Sequence, residues 1–174
     1  MPEHAPARAK QLDAALERQA DSIRLPAFRE LVAHIRVYLL RQNATIGARN
    51  NVHQILKTAM NGNVGSMTVG PQFDKGPTDS HFYTRSGARL SFGVTVREHN
   101  GRCSLVAYRF HLHVASDSSP VFYRFDLNHQ AHPDPLREPC SHFHPGRDDI
   151  RLPCPVLSPI EVLDRIFYAI DVVF

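Results

Sequence analysis

Apolar residues recur along this chain with two periods, a helical one at both ends and a two-residue one in the middle. From Ala7 to Asp21 the residues are good helix formers with few apolar positions, which predicts a helix that lies on the surface or frays. Pro26 sits where a first-turn proline belongs, and Phe28, Leu31, Val32, Ile35 and Leu39 then follow at helical spacing. They predict a second helix over about 27–41. Val52, Ile55, Leu56 and Met60 suggest a third, from about Ala48 to Met60, ended by Asn61-Gly62-Asn63. Residues 62–80 hold Gly62, Gly65, Gly70 and Gly76 and are expected to form a loop, with neither Gly-rich phosphate-binding pattern present.

The period then switches to two. Leu90, Phe92, Val94 and Val96 alternate over about 88–97, Val106, Tyr108, Phe110, Leu112 and Val114 over 103–114, and Val121, Tyr123, Phe125 and Leu127 over 120–128. A short strand over 81–86 precedes them. In the first hairpin a two-residue Asn100-Gly101 turn would pair Arg109 with Phe92 and mix the faces. A three-residue loop with Gly101 in the left-handed position pairs Tyr108 with Phe92 and Phe110 with Leu90, and is the expected register. In the second hairpin, pairing Val114 with Val121 sets His111 opposite Arg124 and Arg109 opposite Asp126. The non-core face of this ribbon then collects Arg109, His111, His113, Arg124 and Asp126.

Periodicity ends at Asn128. The next segment carries four histidines and five prolines before Pro155, and stops at Ser158-Pro159-Ile160-Glu161, where Ser158 reads as an N-cap and Glu161 as its capping-box partner. Leu163, Ile166, Phe167 and Ile170 give the final helix an apolar face. The expected fold is α+β, an antiparallel β-meander packed against N-terminal helices and one C-terminal helix. It forms a single domain over 1–174: a helical part (1–61), a sheet (81–128), a His-rich loop (129–157) and a helix (158–172).

Composition changes this picture little. At 174 residues with 43% apolar content, the chain can bury a core without metal or disulfide support. No apolar stretch has signal-peptide or membrane-spanning length, so a cytoplasmic protein with no membrane partner is expected. Three cysteines, Cys103, Cys140 and Cys154, are expected to stay reduced. The net charge of +3 is uneven: residues 43–128 carry nine Lys/Arg against five Asp/Glu, which suits phosphate attraction or simply a solvated face.

Chemistry concentrates in two places. His142-Phe143-His144 sets two imidazoles on one side of an extended segment, where they could act as an acid–base pair, grip a phosphate, bind a metal, or only cap loop carbonyls. A zinc site would recruit Cys140, His142 and His144 with His129, His132 or Cys154, but the spacing fits no common zinc motif. No metal or other cofactor is therefore expected. The second constellation is the basic ribbon face, ending in Asp126 shortly before the His-rich loop. The catalytic candidates are His142, His144 and Asp126; the substrate-binding candidates are Arg109, His111, His113, Arg124 and Arg147. The loop is expected to be exposed.

Tyr123-Arg124-Phe125-Asp126, then Ser141-His142-Phe143-His144, then Ser158-Pro159-Ile160-Glu161-Val162-Leu163 together resemble the TumE-type toxins of bacterial toxin–antitoxin modules, in which a Y-R-x-D strand, an H-x-H loop and an S-x-x-E-[VL]-L helix follow in this order. The resemblance covers about the last fifty residues and carries over to Tyr123, Arg124, Asp126, His142 and His144. It implies growth inhibition by action on RNA. The expected function is thus a toxin-like protein acting on RNA, a ribonuclease using the loop histidines; the alternatives are a non-catalytic protein-interaction module and a metal-dependent hydrolase. RNA is the expected substrate, and an antitoxin or other protein is the expected partner of the N-terminal helices.

Overall fold

The computed structural model describes residues 4–71, 80–114, 121–128 and 139–171. Its elements run α1 (His4–Ser22), β1 (Leu25–Pro26), α2 (Phe28–Thr45), α3 (Val52–Ile55), β2 (Leu56–Asn61), β3 (Val64–Val69), β4 (Phe82–Tyr83), β5 (Arg89–His99), β6 (Arg102–Val114), β7 (Val121–Asn128), β8 (Ser141–Pro145), β9 (Leu152–Pro153) and α4 (Pro159–Arg165). A π-helical turn, Ile166–Ile170, extends α4. All strand pairs are antiparallel, in the order β2-β3-β5-β6-β7-β8-β9, with β1 on β6 and β4 on β5. The fold is the α+β meander that the two periods predict.

Alternation gives the sheet one apolar face, and the helices cover it. Leu90, Phe92, Val94, Tyr108, Phe110 and Leu112 are buried in one cluster with Leu31, Ile35 and Leu39 of α2 and Val162, Leu163 and Ile166 at the C-terminus. Phe167 packs edge-on against Phe82 at 5.6 Å, and Tyr38 donates to Asp164 Oδ1 at 2.7 Å, tying the C-terminal helix to α2. Ser158 and Glu161 form the capping box read from the sequence.

Four expectations are corrected. The third helix is only four residues long. Lys57, Thr58, Ala59 and Met60 are exposed on a strand, and Gly62-Asn63 turns that strand into β3. The stretch expected to be a loop from 62 therefore begins as the hairpin partner β3, whose pattern alternates with Gly65, Met67 and Val69 inward. Helical spacing over five residues could not tell a helix from an edge strand. Helix α1 does not lie loose: Leu16 and Ala20 are buried, and buried Asp13 accepts from the Cys140 amide at 2.7 Å.

The first hairpin register also differs. Asn100 and Gly101 form the tight turn itself, both with positive φ (51° and 71°), and His99 pairs with Arg102. A bulge opposite Thr95 and Val96 absorbs one residue, so the pairs become Val94–Tyr108, Phe92–Phe110 and Leu90–Leu112. Cys103 and Leu105 face the core before the bulge, and Tyr108 and Phe110 after it. The second hairpin pairs Val114 with Val121, as expected.

Candidate active site

The site is built on the sheet face opposite the helices, and apolar neighbours decide which side chains reach it. Phe125 and Leu127 of β7 are buried on the helix side, so Arg124 and Asp126 point the other way. In β8, Phe143 stacks on Tyr123 at 6.2 Å and meets Phe125 at 4.7 Å, also on the helix side. His142 and His144 are thereby turned to the opposite face. Cross-strand pairing then aligns rows running across the strands: Gly93, Arg109, Asp126 and His142 in one, Ser91, His111, Arg124 and His144 in the next.

Where these two rows reach β7 and β8 lies a buried cluster. Asp126 is 7% exposed, His142 1% and His144 0%. The expectation of an exposed loop is thus corrected, because β8 is an interior strand between β7 and β9. Arg109 Nε donates to Asp126 Oδ1 at 3.0 Å, and Arg124 Nε donates to Asp126 Oδ2 at 2.6 Å. Arg124 also donates to Asp148 Oδ1 at 2.6 Å and, through Nη2, to His144 Nε2 at 2.8 Å. Burial would raise the Asp126 carboxyl, but the two guanidinium groups that donate to it, Arg124 and Arg109, outweigh it. They hold the carboxyl far below the usual range, so it is ionised.

Backbone carbonyls set the ring tautomers. His142 Nδ1 lies 2.7 Å from the Pro139 oxygen and His144 Nδ1 3.3 Å from the Arg147 oxygen, so both Nδ1 atoms carry protons and both Nε2 atoms turn toward Asp126. His144 Nε2 accepts from Arg124. His142 Nε2 is different: it is buried without a hydrogen-bond partner, 3.5 Å from Asp126 Oδ2, beyond a well-formed bond. Next to it opens a cavity of about 280 Å³ lined by Arg109, His111, Asp126, Asn128 and His142, with Ser91, Gly93, Thr95 and Ala107 as small side chains along its floor.

The candidates thus separate. Arg109, His111, Asp126 and His142 line the cavity, while Arg124 and His144 stand behind it in the cluster. His113 lies one row further out, opposite Phe122, and Arg147 is exposed and held by Asp149 through two hydrogen bonds. Asp126, His142 and His144 also place one ligand atom each within 4.8 Å of one another, a set able to hold a metal ion if Arg124 gives way. Among the described residues the cysteines take no part in such a set, which corrects the cysteine-based zinc grouping; His129 and His132 lie outside the described residues. Sequence reasoning missed the two orienting carbonyls and the cavity floor. The floor had a signal in the small residues alternating at Ser91, Gly93 and Thr95.

A helix-backed antiparallel sheet with a buried Asp–His–His cluster and two arginines beside a cavity defines a small α+β protein with a candidate catalytic or ion-binding centre on its open face. Comparison with family models places the chain further: the Toxin TumE model matches residues 75–172, more than half of the molecule, and the protein belongs to the TumE toxin family. The match starts well before the last fifty residues and takes in β4–β9 with α4. No curated protein and no solved structure gives a significant match. No described helix is long and apolar enough to cross a membrane.

Proposed function

We propose that this toxin acts on RNA, cleaving a phosphodiester with His142 as the group that takes the proton of the attacking hydroxyl. One observation carries this reading: His142 Nε2 is buried, without a hydrogen-bond partner, and borders a cavity shared with Arg109 and Asp126. With Nδ1 donating to the Pro139 carbonyl, the neutral ring offers its Nε2 lone pair. As Nε2 takes the proton, the hydroxyl oxygen bonds to phosphorus and the bond to the leaving oxygen breaks, that oxygen taking a proton from solvent. The imidazolium Nε2 then donates towards the ionised Asp126, which stabilises it and fixes its orientation. Arg109, which lines the cavity, offsets charge developing on the phosphate oxygens, while Arg124 acts from behind through Asp126. His144 holds Arg124 in position, and His111 lines the substrate side. The protein partner we propose is an antitoxin meeting the N-terminal helices, which leave Leu12, Val37 and Leu40 exposed; the setting we propose is the cytoplasm.

The test is expression of wild type and His142→Gln from a repressible promoter, with growth, RNA integrity and melting temperature measured together. Glutamine keeps a polar side chain in the buried site. The expected result is a folded variant whose RNA cleavage falls about a hundredfold or more, the scale of a lost general base. A folded variant as active as wild type defeats this reading. The convergence of three acceptor atoms favours a second one, a metal-dependent hydrolase. Activity abolished by a chelator and restored by a divalent cation would put that reading first.

A further inference from the structure

One row beyond Arg124 and His144, Arg89, His113 and Phe122 align across β5, β6 and β7 on the same open face. Phe122 is half-buried yet stands outside the apolar cluster, on the face opposite Phe125 and Leu127. Its ring meets polar rings and a cation: the His111 imidazole edge-on at 5.1 Å and 83°, and Arg124 Cζ at 6.0 Å. His113 lies 6.3 Å from His111, and Arg89 Nη2 stands 3.3 Å from His113 Nδ1. An aromatic ring beside a guanidinium and an imidazole, outside the core cluster, matches the chemistry of a nucleobase stacking platform. The Phe122 row lies two rows from that of Asp126 and His142, about 13 Å along the strands, a span that a neighbouring nucleotide reaches when its base is splayed away from the first.

Resting on the RNA reading, we propose that Phe122, with Arg89 and His113, forms a second nucleotide subsite that takes single-stranded RNA. One nucleotide flanking the cleaved bond occupies the small-floored cavity. The nucleotide on the other side stacks its base on Phe122, and its outer phosphate meets Arg89. A paired duplex hides its base faces, so the subsite selects single strands.

The experiment measures cleavage of a fluorescent single-stranded oligonucleotide, and of copies lacking the base at each nucleotide flanking the cleaved bond, by wild type, Phe122→Ala and Phe122→Tyr. Phe122→Ala should lose roughly ten- to a hundredfold in kcat/KM on the intact strand, chiefly through KM, and Phe122→Tyr should retain activity. On the strand lacking one particular flanking base, Phe122→Ala and wild type should differ little. Arg89→Gln should lower the salt dependence of binding by about one phosphate contact. If wild type cleaves RNA and Phe122→Ala matches it, or loses equally on every strand, the subsite is refuted while the RNA reading stands. Wild type that neither binds nor cleaves RNA removes both.

Discussion

Replacing Asp126 with Asn removes the charge on which the whole cluster is balanced. Its carboxylate holds the Arg124 guanidinium at 2.6 Å and Arg109 at 3.0 Å, and faces two imidazole Nε2 atoms at 3.4 and 3.5 Å. Arg109 is 47% exposed, so its share is about 0–1 kcal/mol. Arg124 is 16% exposed, and leaving such a charge without its buried partner costs about 3–5 kcal/mol, towards the lower figure here because Asp148 still accepts from it. We expect a loss of about 3 kcal/mol, read as a urea midpoint lowered by about 1.5 M for a slope near 2 kcal/mol/M. The pH dependence has a defined sign. The folded carboxyl lies below its unfolded value near 3.9, so its stabilisation is complete above that value. As pH falls, the unfolded chain binds a proton that the native state refuses, and stability declines. The gap between wild type and Asp126→Asn should therefore close on acidification below about pH 5. A variant within about 0.5 kcal/mol of wild type at pH 7, or a gap that does not narrow in acid, would show that the cluster is not an ionic network.

Two further outcomes follow from buried groups and caps. Burial, then Glu98, pushes the Cys103 thiol up to about 11, and burial, then Asp13, pushes Cys140 up to about 12, so native protein should react slowly with iodoacetamide at pH 8 while denatured, unreduced protein shows three thiols. Because both folded values are raised, their contribution to stability is complete below the unfolded value near 8.5 and fades as pH rises towards 11–12; a stability profile flat from pH 8 to 11, or a single thiol after denaturation, contradicts this. Ser158→Ala removes the side chain that accepts from the Glu161 amide and should cost about 1 kcal/mol in urea unfolding without changing RNA cleavage by folded protein; no loss of stability would mean the capping box adds nothing.

The amino-acid pattern alone was enough to determine the parts of this protein whose physics is local. Alternation over 88–128 set three strands, an apolar face and the second hairpin register, because a one-residue slip would turn Phe110, Phe125 and Leu127 to solvent. Ser158-Pro159-Ile160-Glu161 marked the start of the last helix, since a capping box needs only four consecutive residues. Asp126, His142 and His144 could be picked out by residue type and spacing. The helical reading of Val52 to Met60 failed because a short apolar spacing fits either period, and pairing with β3 settled it as strand. The first hairpin was misread because a bulge can restore the faces that a tight turn alone would mix, and alternation does not encode a bulge. Above all, the burial of the two histidines was invisible in a segment rich in proline. It depends on Phe143 reaching Phe125 across the sheet, and the ring tautomers depend on the carbonyls of Pro139 and Arg147. Such contacts join β8 to a neighbouring strand and a following turn, and only the folded chain brings them within reach.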